Sequence, residues 1–419
     1  MQSHTQISKA PNMPSPTDNS EAPGVLRFSQ TSNPLTEGPL TTTWELRQTL
    51  AANRALTEEK RRLSDQSVAA LRRAGLLRLA VPKCHGGDEL DFSEIAARVF
   101  ECARECGSSG WVLMVSSAHD WIIGSFDPAA QAEVWGDGPD DVTPGSLAPS
   151  GVLSAVDGGF RLQGRFSFNS GCAHGKWFLF GCMLRCEDGV KPYHVVVPVE
   201  DLILDDNWHT LGLRGTGSID VIADDSFVPS HRAMDSRILC AGNSQWGRAH
   251  DSSIYRSPMV SGLSTLLSSA ALGICEAAFA ASLELLLGQS DKYTNQKKLD
   301  RPGLHLRLAE SRAELTAATS LVKQTLELLQ PWPEIDDGEA QARRARIKFQ
   351  SAYSFECCRR AGDRLMAAAG GRAAFDDSAL QRAFRDLTMA SKHEMVNFDN
   401  SALAYGRSLV GLELAGQVI

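Results

Sequence analysis

Long runs of like charge are missing from this sequence of 419 residues. Basic residues occur in short groups, such as Lys297-Lys298 and Arg343-Arg344, and the formal net charge of the chain is −8. A negative chain with dispersed basic residues repels the phosphate groups of DNA and RNA. We therefore expect no nucleic-acid partner.

A long apolar run is also missing. A helix that spans a bilayer needs about 20 consecutive apolar residues. The nearest stretch, residues 260–287, is interrupted by serine, glutamate and glycine. We therefore expect no membrane span.

The ten cysteines lack a paired spacing, because no CxxC motif occurs. This scatter is typical of reduced thiols in a cytoplasmic protein. Residues 1–43 contain no apolar signal-peptide core and are rich in Ser, Thr, Pro and Asn. That composition predicts a disordered tail, not a signal or transit peptide.

The spacing of apolar residues changes twice along the rest of the chain. Residues 44–140 follow a helical period, residues 141–235 alternate with a period of two, and residues 236–419 return to long helices. Segregated elements in this order predict an α+β chain, not a doubly wound parallel sheet. We expect an N-terminal helical domain, a middle antiparallel β-domain of barrel or sandwich type, and a C-terminal four-helix bundle.

Individual elements can be bounded from the same patterns. A strand begins near Phe160 after the turn at residues 157–159. Further predicted strands are residues 177–184, 193–199 and 218–228, and the predicted helices are residues 260–287, 304–329, 341–368, 378–392 and a last one from 401. The glycines Gly212, Gly215 and Gly217 lead into a strand, so they do not predict a dinucleotide-binding loop.

His119 lies on the apolar face of a predicted helix. Trp111, Val115, Ile122 and Phe126 fall on the same face at three- and four-residue steps. We therefore expect His119 to be buried. A buried histidine is either a hydrogen-bonded core residue or a catalyst, and the pattern allows both.

His393 lies at the end of the last-but-one predicted helix, away from its apolar stripe. The pair His393-Glu394 is similar to half of a zinc-protease motif, but Asn397 occupies the position of the second ligand, so zinc is not expected. The ring either faces a cavity or is an exposed histidine at a helix end.

Ser170 follows a predicted strand in the sequence Asn169-Ser170-Gly171. Small polar residues at the end of a sheet suit the close approach of a planar ligand, and they also suit an ordinary turn. No GxSxG motif surrounds Ser170, so serine-hydrolase chemistry is not expected.

Three stretches together resemble the acyl-CoA dehydrogenase superfamily, and within it the oxygenase components of two-component flavin-dependent monooxygenases of aromatic compounds. They are GSSGWVLMVSSAHDWIIGSF (107–126), GGFRLQGRFSFNSGCAHGKWFLFG (158–181) with LGLRGTGSIDVIADDSFVP (211–229), and GGRAAFDDSALQRAFRDLTMASKHE (370–394). The resemblance covers nearly all of the chain after residue 44.

The resemblance implies a flavin site between the middle and C-terminal domains. Phe168, Asn169 and Ser170 would lie beside the flavin ring, and Trp111 would form a wall of the pocket. The resemblance also implies a homotetramer, in which Gly371 and Arg372 reach the phosphate end of a flavin bound to another subunit. His393 and Glu394 would border the same pocket.

The implied reaction uses O2 and reduced flavin, FMNH2 or FADH2, supplied by a separate NAD(P)H-flavin reductase. A flavin C4a-hydroperoxide, protected near Ser170, would hydroxylate a phenol or a related aromatic substrate. His393 is the first candidate for the base that deprotonates the phenol, and His119 would bind or orient the phenol or the peroxide.

Three alternatives stay open at this point. The first is an acyl-CoA dehydrogenase-like flavoenzyme that uses Glu394 as its base. Glu394 stands where acyl-CoA dehydrogenases carry a proton-abstracting glutamate, eight residues after Asp386. The same flavin chemistry could oxygenate an amine nitrogen or a sulfur atom. A helical scaffold that has lost its cofactor is the non-enzymatic alternative.

Overall fold

The computed structural model describes residues 32–187, 189–287, 289–330, 332 and 337–414. The predicted tail therefore lies outside the described residues as far as residue 31. Residues 32–43, which the composition assigned to that tail, instead form ordered structure with the short strands β1 (Ser32–Asn33) and β2 (Gly38–Pro39).

A buried carboxylate holds this hairpin on the first domain. Asn33 Nδ2 donates to Glu101 Oε1 over 2.8 Å, and Thr42 Oγ1 donates to Glu101 Oε2 over 2.7 Å. A buried charge is tolerated only where hydrogen bonds satisfy it. The Glu101 carboxylate therefore holds the segment of Asn33 and Thr42 in place, because that segment donates the required hydrogen bonds. Composition could not predict this contact, because its partners are about 60 residues apart in sequence.

Five helices form the N-terminal domain, and polar side chains begin several of them. Thr43, Ser64 and Asp91 each accept a hydrogen bond from a backbone N–H of the first turn that follows. The helices are α1 (Trp44–Lys60), α2 (Asp65–Arg73), α3 (Phe92–Glu105), α4 (Gly107–Ile123) and α5 (Pro128–Val134). Helix α4 is buried along almost its whole length, as its apolar sequence predicts.

One seven-stranded sheet forms the middle domain, in the order β7-β8-β4-β3-β5-β6-β9. Its strands are β3 (Gly145–Val156), β4 (Gly159–Phe166), β5 (Trp177–Cys186), β6 (Gly189–Pro198), β7 (Ile203–Asp205), β8 (Asp220–Pro229) and β9 (Ala233–Asp235). In the described chain the hydrogen-bonded order has two edges, β7 and β9, and not the closed order expected of a barrel.

The sheet is antiparallel as predicted, except that β3 and β5 pair in parallel. Strands β4 and β5 lie on opposite sides of β3, so residues 167–176 must carry the chain across the end of β3. The alternating pattern gives the strands but not this crossing, because it reports the faces of a strand and not its neighbours. The crossing places Ser170 at the end of the sheet.

The C-terminal domain is helical, as predicted. After α6 (Ser236–Ala241), the helices are α7 (Met259–Leu287), α8 (Pro302–Leu329), α9 (Asp337–Ala369), α10 (Ala379–Ala390) and α11 (Phe398–Leu409). Helices α7 to α10 form the bundle, and α11 packs on α9. In the described part of the chain, α7 alone is long and apolar enough to cross a membrane, and it lies mostly buried against α3, α9 and α10.

Candidate active site

The loop after β4 has an unusual backbone that an amide side chain stabilises. Phe168 adopts a left-handed conformation with φ 68°, which is uncommon for a bulky residue. Asn169 Nδ2 donates to the carbonyl oxygens of Phe166, over 2.6 Å, and of Ile219, over 3.0 Å. These bonds hold the strained turn, and the Phe168 ring stays 64% exposed.

The Ser170 side chain belongs to a row of buried hydroxyl groups. Ser170 Oγ lies 2.8 Å from Ser218 Oγ, and Ser218 Oγ lies 2.6 Å from Thr216 Oγ1. Thr216 Oγ1 donates to the carbonyl oxygen of Leu213 over 2.8 Å. The loop after β4 is thereby joined to residues 213–218, which precede β8.

Residues 211–213 are held in turn by α10. Asp386 Oδ1 accepts the backbone N–H of Leu213 over 2.6 Å, and Arg385 Nη1 donates to the carbonyl oxygen of Leu211 over 2.8 Å. Burial raises the pKa of Asp386 to about 7, against the opposing effect of the Leu213 hydrogen bond. The middle domain and the bundle therefore meet beside the hydroxyl row.

His393 lies outside α10, which ends at Ala390, and begins a short 3-10 turn. Its Nδ1 accepts the backbone N–H of Met395 over 3.2 Å, so the neutral ring carries its proton on Nε2. The ring is half-buried, with its centroid 5.9 Å from that of Trp111. Burial lowers the pKa of His393 to about 4, and Glu394 opposes this effect.

Glu394 is placed differently from its neighbour. The side chain is exposed, and its Oε1 accepts a hydrogen bond from Asn400 Nδ2 over 3.1 Å. A carboxylate on the surface that accepts from α11 is poorly placed to remove a proton from a buried substrate. The geometry therefore does not favour the dehydrogenase alternative.

His119 is buried in α4, as the sequence predicts. Its Nδ1 lies 2.9 Å from the carbonyl oxygen of Thr143, so Nδ1 carries the proton and Nε2 has the free lone pair. Burial lowers the pKa of His119 to about 4. The two predicted histidines are therefore neutral at pH 7, and their rings are fixed in opposite tautomers.

A third histidine, His194 on β6, was not predicted. It is buried, its Nδ1 lies 2.7 Å from Ser236 Oγ, and burial together with the nearby His119 lowers its pKa to about 4. Thr216, Ser218 and Asp386 were not predicted either. Sequence gives no sign of these groupings, because they form only where separate loops and strands meet.

Among the described contacts, neither Gly371 nor Arg372 touches the Ser170 loop of the same chain. Both residues are exposed after the end of α9. The guanidinium of Arg372 donates to Asp377 over 3.0 Å and lies 4.8 Å from the centroid of the Phe375 ring. Their predicted role toward a flavin depends on a neighbouring subunit.

The residues around Ser170 fit a planar ligand that carries N–H groups. Asn169 Oδ1 is buried and has no hydrogen-bond partner in the described chain, although the amide nitrogen of the same side chain has two. A buried acceptor without a partner is costly, and a ligand donor would satisfy it. The exposed Phe168 ring beside it, edge-on to Trp208 at 5.9 Å, offers an apolar contact for a flat ring.

Comparison with known proteins agrees with this geometry. The oxygenase component of an FADH2-dependent resorcinol hydroxylase from Rhizobium sp. (strain MTP-10005) is 31% identical over 372 residues, which cover 86% of this chain and 91% of the relative. The chain belongs to the oxygenase components of two-component flavin-dependent monooxygenases. The family model described as "Acyl-CoA dehydrogenase, C-terminal domain" matches residues 265–398 of this oxygenase component.

Two further relatives support the assignment. The oxygenase component of p-hydroxyphenylacetate 3-hydroxylase from Acinetobacter baumannii is 31% identical, with 87% of each chain covered. The crystal structure of 3-HSA hydroxylase from Rhodococcus sp. RHA1 is similar with a TM-score of 0.83 and 28% identity, and the match covers 90% of this chain and 97% of that one. The acyl-CoA dehydrogenase-like fold is thereby confirmed.

Proposed function

We propose that this oxygenase component hydroxylates a phenol or a closely related aromatic compound, using O2 and reduced flavin from a separate NAD(P)H-flavin reductase. The observation that carries the proposal is the similarity to two relatives whose names specify phenolic substrates, resorcinol and p-hydroxyphenylacetate. The name of the first specifies FADH2, which favours FAD over FMN here.

Ser170, Asn169 and Phe168 are the proposed flavin contacts in the middle domain, and Trp111 and His393 are the proposed contacts from the helical domains. When bound, reduced flavin supplies the electrons that activate O2. The chain must keep water and stray protons away from the reacting atoms. The buried hydroxyl row and the Trp111 ring are suited to that task, whereas the exposed Glu394 is not.

The hydrogen bonds of the two histidines favour different roles for them: one would accept a proton from the phenol, and the other would donate a hydrogen bond to it. Nε2 of His119 has a free lone pair, so His119 can accept the phenol proton. The phenolate left beside the ring would raise the pKa of His119 above the value of about 4 that burial gives it. Nε2 of His393 carries a proton, so His393 can donate a hydrogen bond to the phenol oxygen. This assignment exchanges the roles that the sequence suggested, in which His393 was the first candidate for the base.

A cytoplasmic homotetramer is the proposed assembly. An exposed cleft of about 440 Å³ between α8, α9 and α11 is lined by aromatic and apolar side chains, among them Leu321, Phe349, Tyr353 and Tyr405. Apolar surface of this kind is typical of subunit interfaces. Gly371 and Arg372, exposed on the same domain, are the proposed contacts with the phosphate end of a neighbour's flavin.

Oxygen incorporation tests the proposed function directly. The protein would be mixed with photoreduced FAD or FMN, ¹⁸O2 and a panel of simple phenols, and the masses of the products would be measured by mass spectrometry. The proposal predicts a hydroxylated phenol with one ¹⁸O atom, more abundantly with FAD than with FMN. Quantitative formation of hydrogen peroxide with every phenol, and no labelled product, would contradict it.

A further inference from the structure

The row of hydroxyl groups behind Ser170 has a direction. It consists of Ser170, Ser218 and Thr216, all buried, and it ends at the carbonyl oxygen of Leu213. Each hydroxyl group has one proton to donate. The direction of each hydrogen bond therefore follows from the end of the row that cannot donate.

The carbonyl oxygen of Leu213 is that end. Because a carbonyl has no proton, the 2.8 Å contact must use the proton of Thr216. The 2.6 Å contact between Thr216 and Ser218 must then use the proton of Ser218. The 2.8 Å contact between Ser218 and Ser170 must in turn use the proton of Ser170. Ser170 therefore donates inward, and the lone pairs of its oxygen are left to accept from a ligand.

The accepting end of the row is held in place. Leu213 adopts a left-handed conformation with φ 50°. Its N–H donates to the buried Asp386 carboxylate over 2.6 Å, and its carbonyl oxygen also accepts the indole N–H of Trp208 over 3.1 Å. The carbonyl cannot rotate away without breaking these bonds, so the direction of the row is a property of the fold.

We propose that Thr216 and Ser218 are positioning residues that fix Ser170 as a hydrogen-bond acceptor toward the flavin, so that the site selects the reduced form. This inference rests on the proposed function. Reduced flavin carries a hydrogen on N5 that can be donated to Ser170, whereas N5 of oxidised flavin is itself an acceptor. Two acceptors that face each other repel, so oxidised flavin is disfavoured.

Removal of the Thr216 hydroxyl tests the proposal. In Thr216→Val, Ser218 loses its acceptor and can donate to Ser170, which frees the Ser170 proton to point at the ligand. The dissociation constants of reduced and oxidised FAD would be measured anaerobically by fluorescence. We expect the preference for reduced FAD to fall roughly fivefold to tenfold, the worth of about one hydrogen bond. Thr216→Ser, which keeps the hydroxyl, should retain the wild-type preference.

A double-mutant cycle separates positioning from general damage. If Thr216 acts through Ser170, Thr216→Val should leave the preference unchanged in a Ser170→Ala background. Ser218→Ala keeps the hydrogen bond from Thr216 to Leu213 and should reduce the preference for reduced FAD as Thr216→Val does. It provides the same test if Thr216→Val does not fold.

Two different failures are distinguishable. An unchanged preference in both Thr216→Val and Ser218→Ala, or an equal effect of Thr216→Val with and without Ser170, would overturn the directed row. Wild-type protein that binds neither form of FAD or FMN would instead overturn the proposed flavin site itself.

Discussion

At the scale of single residues, the two neutral histidines differ in which ring nitrogen carries the proton. The Thr143 carbonyl holds the proton of His119 on Nδ1, whereas the Met395 N–H holds that of His393 on Nε2. Amide side chains can imitate each arrangement without binding a proton. Asparagine at position 119 keeps the donor to Thr143, and glutamine at position 393 keeps a donor near the former Nε2.

These substitutions test the proposed roles. His119→Asn should lower the rate of phenol hydroxylation in a single turnover by roughly a hundredfold, since it removes a general base. His393→Gln should lower the rate by less than about tenfold, because the hydrogen-bond donor remains. Flavin binding, measured separately, should change little in His119→Asn, since His119 is not a proposed flavin contact. A larger loss in His393→Gln than in His119→Asn would return the base to His393.

Burial of His119 also predicts a dependence of stability on pH. Its pKa is about 4 in the folded protein and 6.5 ordinarily, so below pH 6.5 the unfolded chain takes up a proton that the folded chain refuses. Protonation of this ring in the unfolded chain should by itself lower the unfolding free energy by about 3 kcal/mol as the pH falls from 6.5 to 4. Urea titrations at pH 7 and pH 4.5 should show a smaller loss for His119→Asn than for wild type. An equal loss in both proteins would show that His119 titrates normally.

At the scale of elements, the loop before β8 depends on a very close approach to α10. A Cβ atom on Gly212 would lie 2.0 Å from the carbonyl oxygen of Arg385. Gly212→Ala must therefore push the loop away from α10, and we expect a loss of about 1–3 kcal/mol in unfolding free energy. The preference for reduced flavin should weaken as well, because Leu213 anchors the hydroxyl row.

Gly303, which lies in the first turn of α8 and has open space at its Cβ position, provides the matched control. Gly303→Ala should change the unfolding free energy by less than about 1 kcal/mol and should not affect flavin binding. Similar urea midpoints for the two variants would contradict the importance of the loop contact.

The spacing of apolar residues predicts helices and strands, but it does not predict how these elements pack together. The long C-terminal helices and the strands β5, β6 and β8 were predicted to within a few residues, because each has a buried face that recurs at a fixed spacing, whereas the short strands β7 and β9 were not predicted. The position of His393 outside α10 was not predicted, since the helix ends without a glycine or proline nearby. The contact of Ser170 with Ser218, 48 residues later, depends on the crossing of the sheet, which no local pattern reports.

At the scale of the whole molecule, the proposed tetramer would complete each flavin site with Arg372 from a neighbour. The particle mass in solution should then be four times the 45.4 kDa of the chain. Arg372→Ala should weaken the binding of reduced FAD roughly tenfold through the loss of a charge-assisted contact to phosphate.

Reduced riboflavin, which has no phosphate, is the control ligand for that variant. Its affinity should be the same in wild type and Arg372→Ala if the guanidinium acts on phosphate. Parallel losses for both ligands would mean that Arg372 supports the structure and does not contact the cofactor. A monomer that binds reduced FAD with full affinity would contradict a site shared between subunits.

As an oxygenase component, this chain should promote the reaction of O2 with reduced flavin and control it until an aromatic substrate is attacked. Stopped-flow mixing of the protein and reduced FAD with oxygenated buffer tests it most directly. We expect a transient absorbance near ~390 nm that outlasts the oxidation of free flavin and decays faster with a suitable phenol. Immediate formation of oxidised flavin and hydrogen peroxide, at the rate seen without protein, would contradict it.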